Sequence, residues 1–459
     1  MFDSIRHIFA DKKMRQRIFF TLLMLLACRI GAQVQVPGIN SEVAMRLIKT
    51  ATGGSQNLFQ LMDVFSGGAF AQMTIIALGV MPYISSSIFM QVAVALLPSL
   101  KREVEQNPTV GRRKIATYTR FLTIALALSQ SGLFARFALQ LNASNPGVIL
   151  DEIVRIQAFG TPWLFYLIMM STMTAGTVLL MWVGEQISDK ERGVGNGMSL
   201  IIAIGILSSL PSTIGTIIRQ LNLESQEPGQ MSFTSLLLLG SVFVFIVLGT
   251  ILIIQGQRKI PLQYAGRRLV RGEMGSNKYA YIPLKINYAG VVPVIFASTL
   301  LMFPATIGQF IGRGNWFGKM AIAISPGNWP YTIAYVMLIF LFTYVWTSTQ
   351  FHPEQIARDL QSEGGFIPGV RQGEPTARYL FNTMSHITFM GALFLALIAV
   401  LPTLVGRILG VDATISYFFG GTSLLILVGV VIDTKNQIDT ALISDKYQGK
   451  MRLSSFRSR

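Results

Sequence analysis

Residues 58–97 read LFQLMDVFSGGAFAQMTIIALGVMPYISSSIFMQVAVALL, forty residues with no Lys or Arg and one acid, Asp63. A helix crosses the hydrocarbon core with about 20 residues, so the run is roughly twice as long as one span requires. Its middle carries Ser66-Gly67-Gly68, where a helix can stop and turn, and Asp63 lies just before that break. A carboxylate facing lipid is costly. Non-helical backbone at membrane depth is tolerated only where protein or a water-filled cavity surrounds it. Residues 58–71 are therefore expected to enter the membrane inside the protein as a re-entrant segment, with residues 73–97 forming the continuous span. The break implies an internal cavity with something seated in it.

Outward from this stretch, the chain of 459 residues is 51% hydrophobic and only 13% charged, with its apolar residues in long blocks. Its mean hydropathy is +0.51. This composition predicts an all-α, polytopic membrane protein. The lone cysteine, Cys28, excludes a disulfide within the chain and a thiolate metal site. Residues 1–17 are charged and amphipathic and carry no cleavable-signal pattern, so the apolar run from Ile18 is expected to stay in the membrane. Ten transmembrane helices are expected, near residues 18–34, 73–97, 121–138, 161–183, 199–218, 233–254, 288–311, 330–350, 383–404 and 413–433. The side holding both termini then carries 28 of the 38 Lys and Arg, the other side 7, and Arg29, Arg120 and Arg136 lie at span ends. Cationic loops stay cytoplasmic, which puts both termini there. Two full spans in residues 58–97 would divide the loop cations 25 to 10 and leave the basic N-terminus on the poorer side. One span plus a re-entrant segment fits the charge bias better.

The polar linker at 219–232, with Glu224, Glu227, Pro228 and Gly229, divides the spans into an N-terminal half (1–218) and a C-terminal half (233–434), followed by a cytoplasmic tail (435–459). Halves with an odd number of spans insert in opposite senses, so two pseudo-symmetric inverted halves of five are expected from span count alone. Two cytoplasmic loops stand out. Residues 255–285 mix seven Lys or Arg with Tyr264, Tyr279 and Tyr281 and read as an ordered projecting hairpin. Residues 352–378 are rich in Gly and Pro and carry Arg358 and Arg371. Composition assigns their charges equally well to fixing topology and to meeting a partner.

Several function classes are disfavoured by what is missing. Ion-coupled transport needs intramembrane carboxylates, but Glu185, Asp412 and Asp433 fall at span ends and Asp63 in the re-entrant segment. The three histidines, His7, His352 and His386, are scattered, and neither a zinc motif nor a nucleophile elbow is present. Gly193-Val194-Gly195-Asn196-Gly197 looks like a phosphate loop but follows an apolar helix, so it is read as a tight connection into the next span. No catalytic residue, cofactor or metal is expected, which leaves a conduit as the favoured class over a solute transporter or an intramembrane hydrolase. A conduit that excludes ions needs a narrow apolar neck that dewets. Val80, Ile84 and Ile88 share a helical face, as do Ile202 and Ile206, and β-branched side chains are stiff. Such stripes alone serve packing equally well.

Specific motifs then narrow the class. Phe65-Ser66-Gly67-Gly68-Ala69, followed by Ala77-Leu78-Gly79-Val80-Met81-Pro82-Tyr83-Ile84-Ser85, strongly resembles a signature of the SecY family of bacterial protein-conducting channels. So do Gly184-Glu185-Gln186-Ile187-Ser188 running into Glu191-Arg192-Gly193-Val194-Gly195-Asn196-Gly197, the stretch from Arg258 to Ala265, Asn287 to Pro293, Pro368-Gly369-Val370-Arg371 and Phe419-Gly420-Gly421-Thr422-Ser423. The resemblance covers essentially the whole chain. It implies a clamshell of two halves hinged at 219–232 and a plug in the re-entrant segment that includes Asp63, Phe65, Gly67 and Gly68. It implies a pore ring of Val80, Ile84, Ile202, Ile206, Ile295 and Ile426, and a lateral gate between the second and seventh spans lined by Ser85 and Phe303. Val80 departs from the isoleucine often found in the family and removes one methylene from the neck. Arg258 and Arg371 match arginines that bind a SecA-like motor ATPase and the ribosome. The other partners implied are SecE-like and SecG-like small membrane subunits, signal sequences, nascent or unfolded polypeptides, and the lipid bilayer of the bacterial inner membrane.

Overall fold

A computed structural model of the chain describes residues 11–51, 62–63, 65–150, 162–220, 233–264, 280–311, 320, 323–324, 328–409 and 421–457. In chain order these form α1 (Lys12–Gly31), α2 (Ser41–Ala51), α3 (Met81–Leu96), α4 (Pro98–Gln106), α5 (Pro108–Ser144), α6 (Trp163–Ser188), α7 (Gly197–Gln220) and α8 (Phe233–Gln255). They continue with β1 (Gln257–Tyr264), β2 (Ala280–Lys285), α9 (Val292–Ile311), α10 (Trp329–Gln350), α11 (Pro353–Ser362), β3 (Gly365–Phe366), α12 (Glu374–Leu409) and α13 (Gly421–Arg457). Each of the ten segments expected as a span overlaps a helix. Among the described residues, six helices are long and apolar enough to cross a membrane, and the pair α3 and α4, bent by 88°, would make a seventh. A count of ten thus rests on the sequence. Several helices outrun the bilayer: α5 has 37 residues, about 55 Å at 1.5 Å each against a core of about 30 Å. The expected linker begins as helix, since α7 runs to Gln220, and its remainder lies outside the described residues. In the expected tail, α13 continues as helix to Arg457.

The irregular stretch before the second expected span is longer than the sequence suggests, and the continuous helix shorter. Helix α3 begins at Met81, not Met73, and residues 67–80 run through turns. The local chemistry explains the difference. Pro82 has no N–H and a fixed φ, which suits a first helical turn, and Gly79 holds a positive φ of 60° just before it. The backbone of 73–75 pairs with the connection after α1 instead: Val36 N–H donates to Met73 O at 3.2 Å and Ile75 N–H to Val34 O at 3.0 Å. That satisfies polar backbone which lipid could not. Behind it α6 comes so close that a methyl at Gly176 would run into the Ile75 carbonyl. Met73 and Thr74 are completely buried.

Packing among the expected spans follows a repeated pattern. In the first half α3 packs on α5, α5 on α6, α6 on α7, and α1 on both α6 and α7; in the second, α9 packs on α10, α10 on α12, α12 on α13, and α8 on both α12 and α13. The main contacts between the two groups are α3 with α9 and α7 with α13, helices of equal rank in each.

The basic loop at 255–285 is a hairpin in its described part, with β1 and β2 antiparallel and Arg258 opposite Leu284. Its tip, residues 265–279, lies outside the described residues. β1 also pairs with β3, Gln263 opposite Phe366 and Tyr264 opposite Gly365. The two loops that the sequence treats separately therefore share one sheet. Beneath it Ile260, Leu262, Leu284, Leu360, Ile367 and Leu380 form an apolar core.

Candidate functional site

Val80 caps the N-terminus of α3 and Ile84 lies one turn on; Ile202 and Ile206 share a face of α7; Ile295 is on α9 and Ile426 on α13. These are the four helices through which the two groups touch. All six side chains are buried, at most 6% exposed, and belong to one contiguous apolar cluster. Ile202 is aimed by the glycine turn before α7. There Gly193 N–H donates to Asp189 O at 2.8 Å, Gly197 N–H to Ser188 Oγ at 2.9 Å, and Val194 N–H to Thr21 Oγ1 of α1 at 3.1 Å. That connection is structural, as its position after an apolar helix suggests.

Of the plug candidates, Phe65 reaches this cluster and is buried within it. A cavity of only about 10 Å³ separates Met62, Phe65 and Ser66 from Val80, Ile84 and Ile202, room for no more than about one water. Asp63 organises the turn: its carboxylate accepts from Ala71 N–H at 2.8 Å and its carbonyl from Gly68 N–H at 2.9 Å. Ser66 Oγ accepts from Phe70 N–H at 2.9 Å. The lone acid of the stretch is thus turned inward onto backbone donors. Gly67 and Gly68 sit at φ of 68° and 88°, where a side chain is strained. Residues 52–61 and Val64 lie outside the described residues.

The contact of α3 with α9 differs in its polar pairing from that of α3 with α5. On its own side α3 meets α5 through a buried hydroxyl pair, Ser86 Oγ and Thr123 Oγ1 at 2.9 Å, each of which also bonds to its own helix, at Pro82 O and Thr119 O, both at 2.7 Å. Across to α9, Thr299 Oγ1 lies 3.8 Å from the Met81 thioether, a weak acceptor, and also donates to its own helix at Ile295 O, 2.7 Å. Ser85 is buried and spends its hydroxyl on Met81 O at 2.9 Å. The side chain of Phe303 lies outside the described residues, and only its place on α9 is given. Arg258, on β1, and Arg371, in the turn before α12, are both exposed on the unit formed by the shared sheet. Next to Arg258, Lys259 Nζ lies 4.8 Å from the centre of the Tyr281 ring.

Sequence reasoning missed one participant. Arg29, counted only as a span-end charge, reaches from α1 to the plug candidate Gly67 and to α7. Its guanidinium donates to Gly67 O at 3.5 Å, Ile204 O at 3.2 Å and Gly205 O at 3.5 Å, and to Ser208 Oγ. A cation placed near an apolar span end was the available signal.

The SecY family model matches residues 74–435. The protein translocase subunit SecY of Chlamydia trachomatis is 54% identical over 450 residues, covering 98% of each chain. Among solved structures, a SecY whose plug domain is described as stabilising the closed state of the translocation channel superposes with a TM-score of 0.59 at 19% identity, covering 92% of this chain and 91% of that one. Sec61 in the canine ribosome-channel complex of the endoplasmic reticulum gives 0.58 at 18% identity, with the same coverage. At those identities the likeness is one of fold.

Proposed function

Since this chain belongs to the SecY family, we propose that it is the pore subunit of a bacterial translocase, passing unfolded secretory polypeptides across the cytoplasmic membrane and releasing apolar segments sideways into lipid. The observation that carries the mechanism is the dry apolar cluster at the meeting of α3, α7, α9 and α13, capped by Phe65. Apolar contact is non-directional, so such a ring closes around any extended chain without reading its sequence. The wall that must seal against ions while idle is the same wall that grips a polymer in transit.

Ten spans in two inverted halves of five are supported by the packing pattern, in which each contact within α1, α3, α5, α6 and α7 has a counterpart within α8, α9, α10, α12 and α13. The hinge then falls at 219–232, and α3 against α9 is the lateral gate. Its polar contact is to a thioether at 3.8 Å, where α3 and α5 share a 2.9 Å hydroxyl pair, which favours parting at that seam. A signal segment opens it only by binding the parted state more tightly, since equal affinity for both states shifts nothing. The chain itself catalyses nothing: a SecA-like ATPase or an elongating ribosome supplies the work. Arg258 and Arg371, held on one sheet-based unit, offer cations to the motor's carboxylates or to ribosomal phosphates. SecE-like and SecG-like subunits complete the assembly, and both termini face the cytoplasm.

The test is reconstitution with those subunits, motor and ATP in proteoliposomes, scoring protease-protected secretory polypeptide in the lumen. Protection that needs both this chain and ATP is expected. Saturable uptake of a small solute with no protected polypeptide would favour a transporter instead.

A further inference from the structure

We propose that Arg29 is the latch of the plug, a positioning residue that sets how strong a signal segment must be to open the channel. The inference rests on the channel reading above and adds to it a residue outside the ring, the plug and the gate.

Arg29 lies in the last turn of α1, half-buried beside the neck, and its side chain points across to the turn at Gly67. Three elements meet on its guanidinium: α1, which carries it, the plug through Gly67 O, and α7 through Ile204 O, Gly205 O and Ser208 Oγ. Ser208 doubles the link, since its Oγ lies 3.3 Å from Gly67 O and 2.8 Å from Gly205 O. A planar fork of N–H donors suits this task because it engages several carbonyls in different directions at once, which an ammonium does less well. Gly67 fits the latch in two ways. Its φ of 68° turns its carbonyl toward the arginine, and a methyl there would collide with the guanidinium.

The consequence concerns the idle channel. Ile204 and Gly205 lie between the ring residues Ile202 and Ile206 on the same helix, so one cation ties the seated plug to the wall of the neck. Hydrogen bonds from a charged donor are about twice as strong as neutral ones. Displacing the plug breaks the Gly67 bond, while the contacts to α7 can persist. Arg29 therefore weights the closed state specifically, and its strength is part of the threshold that a signal segment must exceed.

The experiment compares Arg29→Met, which keeps an apolar stem without donors, Arg29→Lys, which keeps the charge without the fork, and Ser208→Ala, each in the complete assembly. Resting ion conductance in planar bilayers is read beside the ratio of translocation with a crippled signal to that with an intact one. Arg29→Met should raise both by about tenfold, the factor equivalent to about 1.4 kcal/mol. Arg29→Lys should fall between, and Ser208→Ala should move both readings the same way by a smaller factor. A merely structural role would lower thermal stability and depress both substrates in parallel. Wild-type conductance and an unchanged signal ratio in Arg29→Met overturn the latch. Should Arg29→Met fail to assemble, the same result in Ser208→Ala overturns it. If the unaltered chain carries no polypeptide at all, the channel reading fails instead, while the conductance arm still reports on the plug.

Discussion

Truncating two opposing ring residues, Ile84→Ala on α3 together with Ile202→Ala on α7, should make the resting channel leak. Both side chains are buried, 6% and 3% exposed. Each substitution removes three carbons, worth about 0.8 kcal/mol apiece when kept from water, or about 2.4 kcal/mol per site. Parting the ring wets only some of that surface. If half is wetted, the pair loses about 2.4 kcal/mol of preference for the closed neck, which is roughly a 50-fold rise in the open fraction. Alanine is preferred over glycine because it leaves both helices intact. The assay is single-channel and macroscopic conductance in planar bilayers without motor or substrate. A control truncation on the outer face, Leu252→Ala, alters a side chain 71% exposed on α8 and should change nothing. Resting conductance equal to wild type, with normal amounts of assembled protein, would refute the assignment of these residues to the seal.

Three further outcomes follow from the packing. Replacing Thr123 by Val removes the buried partner of Ser86, and at about 0.6 to 1.7 kcal/mol for an interhelical hydrogen bond in a membrane it should lower the midpoint of thermal unfolding in detergent; an unchanged midpoint would deny that this pair ties α3 to its own group. Gly176→Val should all but abolish accumulation in membranes, because the new side chain meets the Ile75 carbonyl, and wild-type abundance on an immunoblot would contradict that close approach. Arg371→Glu should impair motor-driven translocation several-fold without loss of folded protein, and normal translocation would leave that arginine a topology determinant only.

The helices were legible in the sequence because apolar blocks of about 20 residues have few alternatives in a membrane, and the glycine break at Gly67-Gly68 marked a turn, with φ of 68° and 88°. The run of 73–80 was not. Hydropathy cannot distinguish a lipid-facing helix from irregular backbone buried in protein, and Met73, Thr74, Ala77 and Leu78 are as apolar or small as a span while packed as a core. Pro82 in the first turn of α3, with Gly79 ahead of it, was the usable sign that the helix starts later. The ring residues could be picked out only by family resemblance, since an isoleucine stripe has the same spacing whether it faces lipid, a neighbour or a pore. Joining of the two basic loops was invisible because the pairing of β1 with β3 spans about a hundred residues and uses two pairs of backbone partners. The role of Arg29 was hidden for a related reason. Its partners are mostly carbonyls, which every residue carries.

The most direct measurement is to halt a secretory polypeptide midway and crosslink it from single reactive side chains placed at 80, 84, 202, 206, 295 and 426. All six positions should capture the same stretch of the threaded chain, while probes at the exposed Phe245 and Leu252 of α8 should not. Capture at the outer positions, with none at the six, would contradict passage through this neck.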